Sequence, residues 1–217
     1  MIPARMFLVL ALLSAGAPAQ AAETPQQQPD TNALFDGFVV SDAYRRYLEN
    51  LFNKQEPAAA KGSCTSMKLV ASDAYLMIEP PSFISKAGNY AINSGKWIAV
   101  GQLDRCGTQV TRRALLTAVP GKNEFLVTTL LPGDFRGNLG LETDAERVVI
   151  PSLMNAAACK DPKQFTMLDI KAVGAASAQG WSETWFAQAC GKPVSTKVTY
   201  TKKTAGFNIA TSETKAR

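Results

Sequence analysis

The side chains able to do covalent or acid–base chemistry are few, and one type is missing altogether. The 217 residues contain no histidine. That excludes Ser-His-Asp and Cys-His nucleophiles, His-bearing zinc sites and CxxCH haem attachment. Four cysteines remain: Cys64, Cys106, Cys159 and Cys190. None stands in a close CxxC pair, so neither a zinc site nor a thioredoxin-like redox centre is indicated. Hydrolysis without histidine calls for two carboxyls about 5–9 Å apart, as in glycosidases. The candidates are Glu79, Asp104, Asp134 and Glu183, and nothing in their spacing brings any two together. The chain has no GK[ST], GxGxxG or EF-hand pattern, and Lys203-Thr204-Ala205-Gly206 is not an adjacent KTG triplet, so Ser212-Glu213-Thr214-Lys215, which has the SxxK spacing, lacks the companion motif of penicillin-recognising enzymes. No catalytic activity, cofactor or metal is expected.

Binding chemistry has better candidates. In Trp181-Ser182-Glu183-Thr184-Trp185 the alternation of a strand would place Trp181, Glu183 and Trp185 on one face. Two indoles with a carboxylate between them suit a sugar ring, which makes peptidoglycan or lipopolysaccharide a reachable target. The competing reading buries the tryptophans under a helix with Glu183 at the sheet margin. Trp97, at the matching place in an earlier segment, favours burial, because a repeated aromatic is usually a core anchor. The stretch from Glu79 to Ser94 contains Pro80, Pro81, Phe83, Ile84 and Tyr90. It reads as a long connection whose apolar residues could dock a partner. Pro132 to Gly140 reads as a flexible glycine-rich joint.

The elements that must carry these residues begin with an export signal. Arg5, the apolar run Met6–Ala15 and the small residues of Ala19-Gln20-Ala21 fit a secretory signal peptide over residues 1–21. The apolar run is shorter than the ~20 residues of a membrane span, and no later stretch reaches that length. A periplasmic or secreted protein of bacterial type is expected. Export makes an even cysteine count read as two disulfides. Residues 22–40 read as a mobile Gln/Pro-rich lead-in. Ser41 then caps a helix whose Tyr44, Tyr47, Leu48 and Leu51 form one apolar stripe. A second helix is predicted from the capping box Thr143-Asp144-Ala145-Glu146, with Val149, Leu153 and Met154 continuing its stripe and Pro151 kinking or splitting it.

The segments after each helix match. Trp97 and Trp181 each precede a Cys-Gly pair, Cys106-Gly107 and Cys190-Gly191, by nine residues. Val110 and Val194 open strand-like runs four residues after each cysteine. Phe125-Leu-Val-Thr-Thr129 and Phe207-Asn-Ile-Ala-Thr211 close them. The fold class is therefore α+β, a tandem duplication with one helix on a curled antiparallel sheet of about four strands in each copy. The copies span 41–131 and 143–217, joined by 132–142. Element order alone resembles a cystatin-like arrangement, which carries no function. Four cysteines allow three pairings. The repeat selects Cys64–Cys106 and Cys159–Cys190 over the crossed Cys64–Cys159 with Cys106–Cys190.

The net charge is +5, and from Lys192 onward six basic residues face one acid, Glu213. A solvated strand face with a basic tail accounts for that excess, although anionic lipid headgroups would also be drawn to it. Nothing resembles a nucleic-acid motif. The function expected is a non-catalytic interaction module for another envelope protein. Alternatives are a glycan or lipid-headgroup binder and a carboxylate-based hydrolase.

Overall fold

The computed structural model describes residues 30–62, 64–72, 75–86, 89–122 and 124–216. The signal segment 1–21 and most of the lead-in lie outside the described residues.

The fold is α+β, with two antiparallel sheets, each with helical structure on one face. The lead-in is helical at its end: α1, Thr31–Val39, is capped by the Asp30 side chain, which accepts from the Asn32 amide, and buries Phe35 and Val39. Gly37 and the short length hid this helix, whose apolar Phe35, Phe38 and Val39 nevertheless sit one turn apart. Helix α2, Asp42–Gln55, starts at the Ser41 cap and buries Tyr44, Leu48 and Phe52. Each such burial stabilises the fold by about 1.5–3 kcal/mol. A short α3, Ala58–Lys61, follows.

The first sheet holds β1 (Lys68–Ala71), β2 (Tyr75–Lys86), β3 (Asn89–Arg105), β4 (Thr108–Ala118) and β5 (Phe125–Thr129). β1 and β2 both pair with β3, which in turn pairs with β4, and β4 with β5. The expected connection from Glu79 to Ser94 is therefore mostly strand, the outer part of the β2–β3 hairpin. Pro80 and Pro81 mislead because proline is tolerated on an edge strand, where no neighbour needs its missing donor. The pairing register shifts on both sides of them, between Glu79 and Ser82.

The second sheet runs in simple order: β6 (Phe165–Ser177), β7 (Gly180–Ala189), β8 (Lys192–Lys202) and β9 (Phe207–Ala216). Helix α4, Leu139–Ala156, packs on it through Ala145, Val149 and Leu153. It begins four residues before the expected start, because Asn138 rather than Thr143 supplies the cap. The Thr143 hydroxyl instead donates back to the Leu139 carbonyl. Pro151 does not split the helix. It lies on the exposed side, while Leu153 in the core and the Ser152 hydroxyl against Thr214 hold the following turn to the sheet. No described helix is long and apolar enough to cross a membrane.

The two sheets share register in detail. Trp97 opposes Leu116 and Trp181 opposes Tyr200, at the same distance from their turns. A bulge interrupts the first pairing between Leu69 and Ala71, and another interrupts the second between Met167 and Asp169. The stretch expected to be a flexible joint is docked. The Gly133 amide donates to the Thr111 carbonyl (2.9 Å) and the Asp134 amide to the Ile170 carbonyl (2.8 Å). At Gly133 (φ 83°) any Cβ would collide with the Ile170 backbone, so glycine is needed there for close approach.

Candidate functional site

The cysteines form two bridges, Cys64–Cys106 and Cys159–Cys190, with Cα–Cα distances of 5.9 and 5.4 Å. The far cysteine of each sits in a two-residue hairpin turn, since Arg105 pairs with Thr108 and Ala189 with Lys192. Both turn residues have positive φ: 48° and 87° at Cys106-Gly107, 48° and 77° at Cys190-Gly191. That is the type I′ conformation, whose twist matches the flanking strands. Cysteine takes the place usually held by asparagine, and the bridge anchors it to the segment after the helix.

The proposed sugar platform does not form. Trp185 and Glu183 are fully buried and Trp181 is half-buried, because this face of β7 is the one that turns toward α4. Glu183 serves as an internal acceptor. Its Oε1 accepts from the Trp181 indole (2.8 Å) and the Arg136 amide (3.0 Å), and its Oε2 accepts from the Trp185 indole (3.1 Å). The buried Tyr200 hydroxyl lies near this carboxylate and has no hydrogen-bond partner within bonding geometry among the described residues. Burial above all, then the charge of Glu183, pushes the Tyr200 hydroxyl far up from its ordinary pKa.

The other carboxylates are dispersed and engaged. Glu79 pairs with Lys96 at 3.8 Å. Asp104 accepts from the Gly107 amide (2.6 Å) at the first Cys-Gly turn, and Asp134 accepts from the Thr111 hydroxyl (3.0 Å). Among the described residues no three Cys, Asp or Glu side chains gather as metal ligands would. The basic residues Lys192, Lys197 and Lys202 are exposed along β8; of these, Lys192 reaches the Ala157 carbonyl at the C-terminus of α4 (3.3 Å), where a cation offsets the helix dipole.

Two surface features stand out at the hairpin end of the first unit. Phe83 is half-buried against the core, whereas Tyr90 is 47% exposed and Ile84 39%. Beside them lie two hollows that share Phe38. One, of about 430 Å³, is lined by Phe38, Tyr44, Tyr47, Glu124 and Phe125. The other, of about 310 Å³, is lined by Phe38, Ile84, Tyr90, Ile92 and Lys122. Along this groove the Phe125 ring packs against Phe38 at 6.0 Å and against Tyr47 at 5.4 Å. Phe38 and Tyr47 come from the lead-in helix and α2, so their meeting with Phe125 was not readable from any single segment.

A charged cluster lies where the two units meet. Glu56, the residue that caps α2, accepts from Arg105 Nη1 (2.9 Å) and from Arg112 Nη2 (2.7 Å) and Nε. Arg113, next along β4 and facing the opposite side of the sheet, donates to Glu142 of α4 (3.1 Å). Glu142 also accepts from the Leu131 amide (2.7 Å) and so ties strand, connection and helix together. Burial raises the pKa of Glu146, and the charge of Glu142 adds to it. Burial likewise raises Asp169, against the opposing pull of Arg112 and Lys171. No local pattern points to this cluster, since its partners stand 56 and 29 residues apart.

Comparison with known protein families, with curated proteins and with solved structures returned no match.

Proposed function

We propose that this chain is an exported, disulfide-bonded interaction module of a bacterial-type cell envelope, without catalytic activity. It grips another envelope protein through the aromatic groove beside Phe38 and the hairpin that carries Ile84 and Tyr90. The observation that carries this reading is the groove itself: three packed rings border open space, with an exposed tyrosine alongside. Aromatics of this kind dominate protein interfaces because they bury large areas at small entropic cost. The engaged state of all four candidate carboxylates speaks against hydrolysis, and paired cysteines favour an oxidising compartment. We propose also that the units 31–131 and 132–216 are copies of one ancestral unit, each sheet curled around its own helix. The matching bulges and Cys-Gly turns support this.

The test is photo-crosslinking in intact cells from position 84, with exposed Lys163 as the control position. A discrete adduct from 84 alone, lost when Tyr90→Ser and Tyr47→Ser are added, supports the groove. Equal adducts from both positions would overturn it.

A further inference from the structure

A second opening lies between the two units, and its chemistry differs from that of the aromatic groove. It is a cleft of about 270 Å³, with walls from Pro57, Leu130, Pro132, Phe165 and Met167 and with Arg112, Arg113 and Glu146 among its polar lining. The two arginines differ in what they have left to give. Arg112 spends Nε and Nη2 on Glu56 and Nη1 on the Thr111 carbonyl. Arg113 makes one side-chain hydrogen bond, from Nη1 to Glu142, and lays its guanidinium over the Phe135 ring at 5.5 Å. Its side chain is only 7% exposed, yet none of its nitrogens is both sealed from solvent and unpartnered among the described residues. Its Nε and Nη2 thus have no partner among the described residues and keep some contact with solvent, and Arg113 is one of the residues that line the cleft.

The electrostatics favour an anion there. Three guanidinium groups, of Arg105, Arg112 and Arg113, face two buried carboxylates, Glu56 and Glu142. The acid of the cleft lining is Glu146, whose pKa is raised by burial and then by the charge of Glu142. The shared core does not require these arginines, because the corresponding positions of β8 are Thr196 and Lys197. A guanidinium edge matches a carboxylate in geometry as well as in charge. The apolar walls call for an apolar body. The volume lies just under the ~300 Å³ at which pockets for drug-sized ligands begin, so the body is small.

We infer that the cleft between the units binds a small apolar monocarboxylate, with its carboxylate on the free edge of Arg113 and its body against Leu130, Pro132, Phe165 and Met167. The site is separate from the groove of the first unit and stands or falls independently of it.

Ligand-observed NMR and calorimetry with benzoate, hexanoate and octanoate, set against benzyl alcohol, hexanol and octanol, test this. The acids should bind at least about tenfold more tightly than the alcohols, the effect of one charge-assisted hydrogen bond. Binding should be lost in Arg113→Gln. Because that change also removes the cation that faces buried Glu142, the second variant is Thr129→Trp, which fills the mouth of the cleft from an exposed strand position. It should abolish binding while leaving the circular dichroism spectrum and melting curve unchanged. Equal affinity for acids and alcohols, undiminished binding in a folded Thr129→Trp protein, or no binding of any acid at millimolar concentration would each overturn the inference.

Discussion

Replacing Glu183 with glutamine separates a structural carboxylate from a catalytic one. In the native protein three N–H donors converge on this side chain, two on Oε1 and one on Oε2. A glutamine in the same rotamer can set its carbonyl where Oε1 was and keep the Trp181 indole and the Arg136 amide. Its NH2 then faces the Trp185 indole N–H, donor against donor. Stranding that buried N–H costs about 1–3 kcal/mol. The two surviving bonds change from charged to neutral acceptors and lose roughly half their strength. Relief from burying a charge offsets part of this. The net expectation is a loss of about 2–3 kcal/mol, and turning the amide over makes it worse by stranding two donors.

Urea unfolding followed by tryptophan fluorescence suits the measurement, since two of the three tryptophans flank Glu183. The transition should move to lower urea, and the native emission should shift as the indoles lose their charged acceptor. A stability change within about 0.5 kcal/mol, the range of ordinary surface substitutions, would refute the reasoning. The hydrolase alternative makes the opposite forecast: Glu183→Gln abolishes clearing of peptidoglycan in a zymogram and leaves stability equal or higher, since catalytic acids commonly cost stability.

Two further outcomes follow from the same geometry. Non-reducing peptide mapping should recover Cys64 with Cys106 and Cys159 with Cys190. Removing either bridge should lower stability by about 3–4 kcal/mol, the loop-closure value for separations of 42 and 31 residues. Asp169→Asn should stabilise the protein at neutral pH: burial raises the native pKa of Asp169, so its ionisation above that value counts against the folded state. The gain should shrink as pH falls through the raised native pKa and be gone below the unfolded value of about 4, where the carboxyl becomes protonated in native and unfolded chains alike; a gain that persists well below it would contradict the assignment.

How far the sequence discloses this architecture depends on the range of the interactions. Helix α2 is legible because its stripe Tyr44, Tyr47, Leu48, Leu51 needs only local spacing, although the fully buried set is Tyr44, Leu48 and Phe52, with Tyr47 and Leu51 half-buried. The cysteine turns are legible because two residues with positive φ demand glycine. The strand alternation of Trp181, Glu183 and Trp185 is also legible, but it does not say which face is the core, and a glutamate argues for the wrong one. The Glu79–Ser94 hairpin fails for a related reason: prolines that would break a central strand are harmless at an edge. The inter-unit arginines lie in a strand that alternates normally, and their meaning comes only from Glu56 and Glu142 across the fold.

The burial of Glu183 follows from how the two units fill equivalent space. In the first, α2 offers Tyr44, whose hydroxyl accepts from the Trp97 indole (2.9 Å), and the neighbouring β3 position is Ala99. In the second, the one buried acceptor of α4, Glu142, is taken by Arg113 and the Leu131 amide, and the rest of the buried stripe is Ala145, Val149 and Leu153, none of which can accept. The indole of Trp181 must find one on the sheet, and Glu183 stands where Ala99 stands in the first unit. The same exchange recurs one step along the strand. Gly101 leaves room for Phe52, whose ring a Cβ at position 101 would strike at 2.6 Å. Trp185 occupies the matching place and shares a core cluster with Leu153. The large ring thus comes from the helix in the first unit and from the strand in the second, and close packing is met in either way. Glu183 does from the strand for the Trp181 indole what the Tyr44 hydroxyl does from the helix for Trp97, and its three N–H partners are the reason a buried carboxylate is tolerated there.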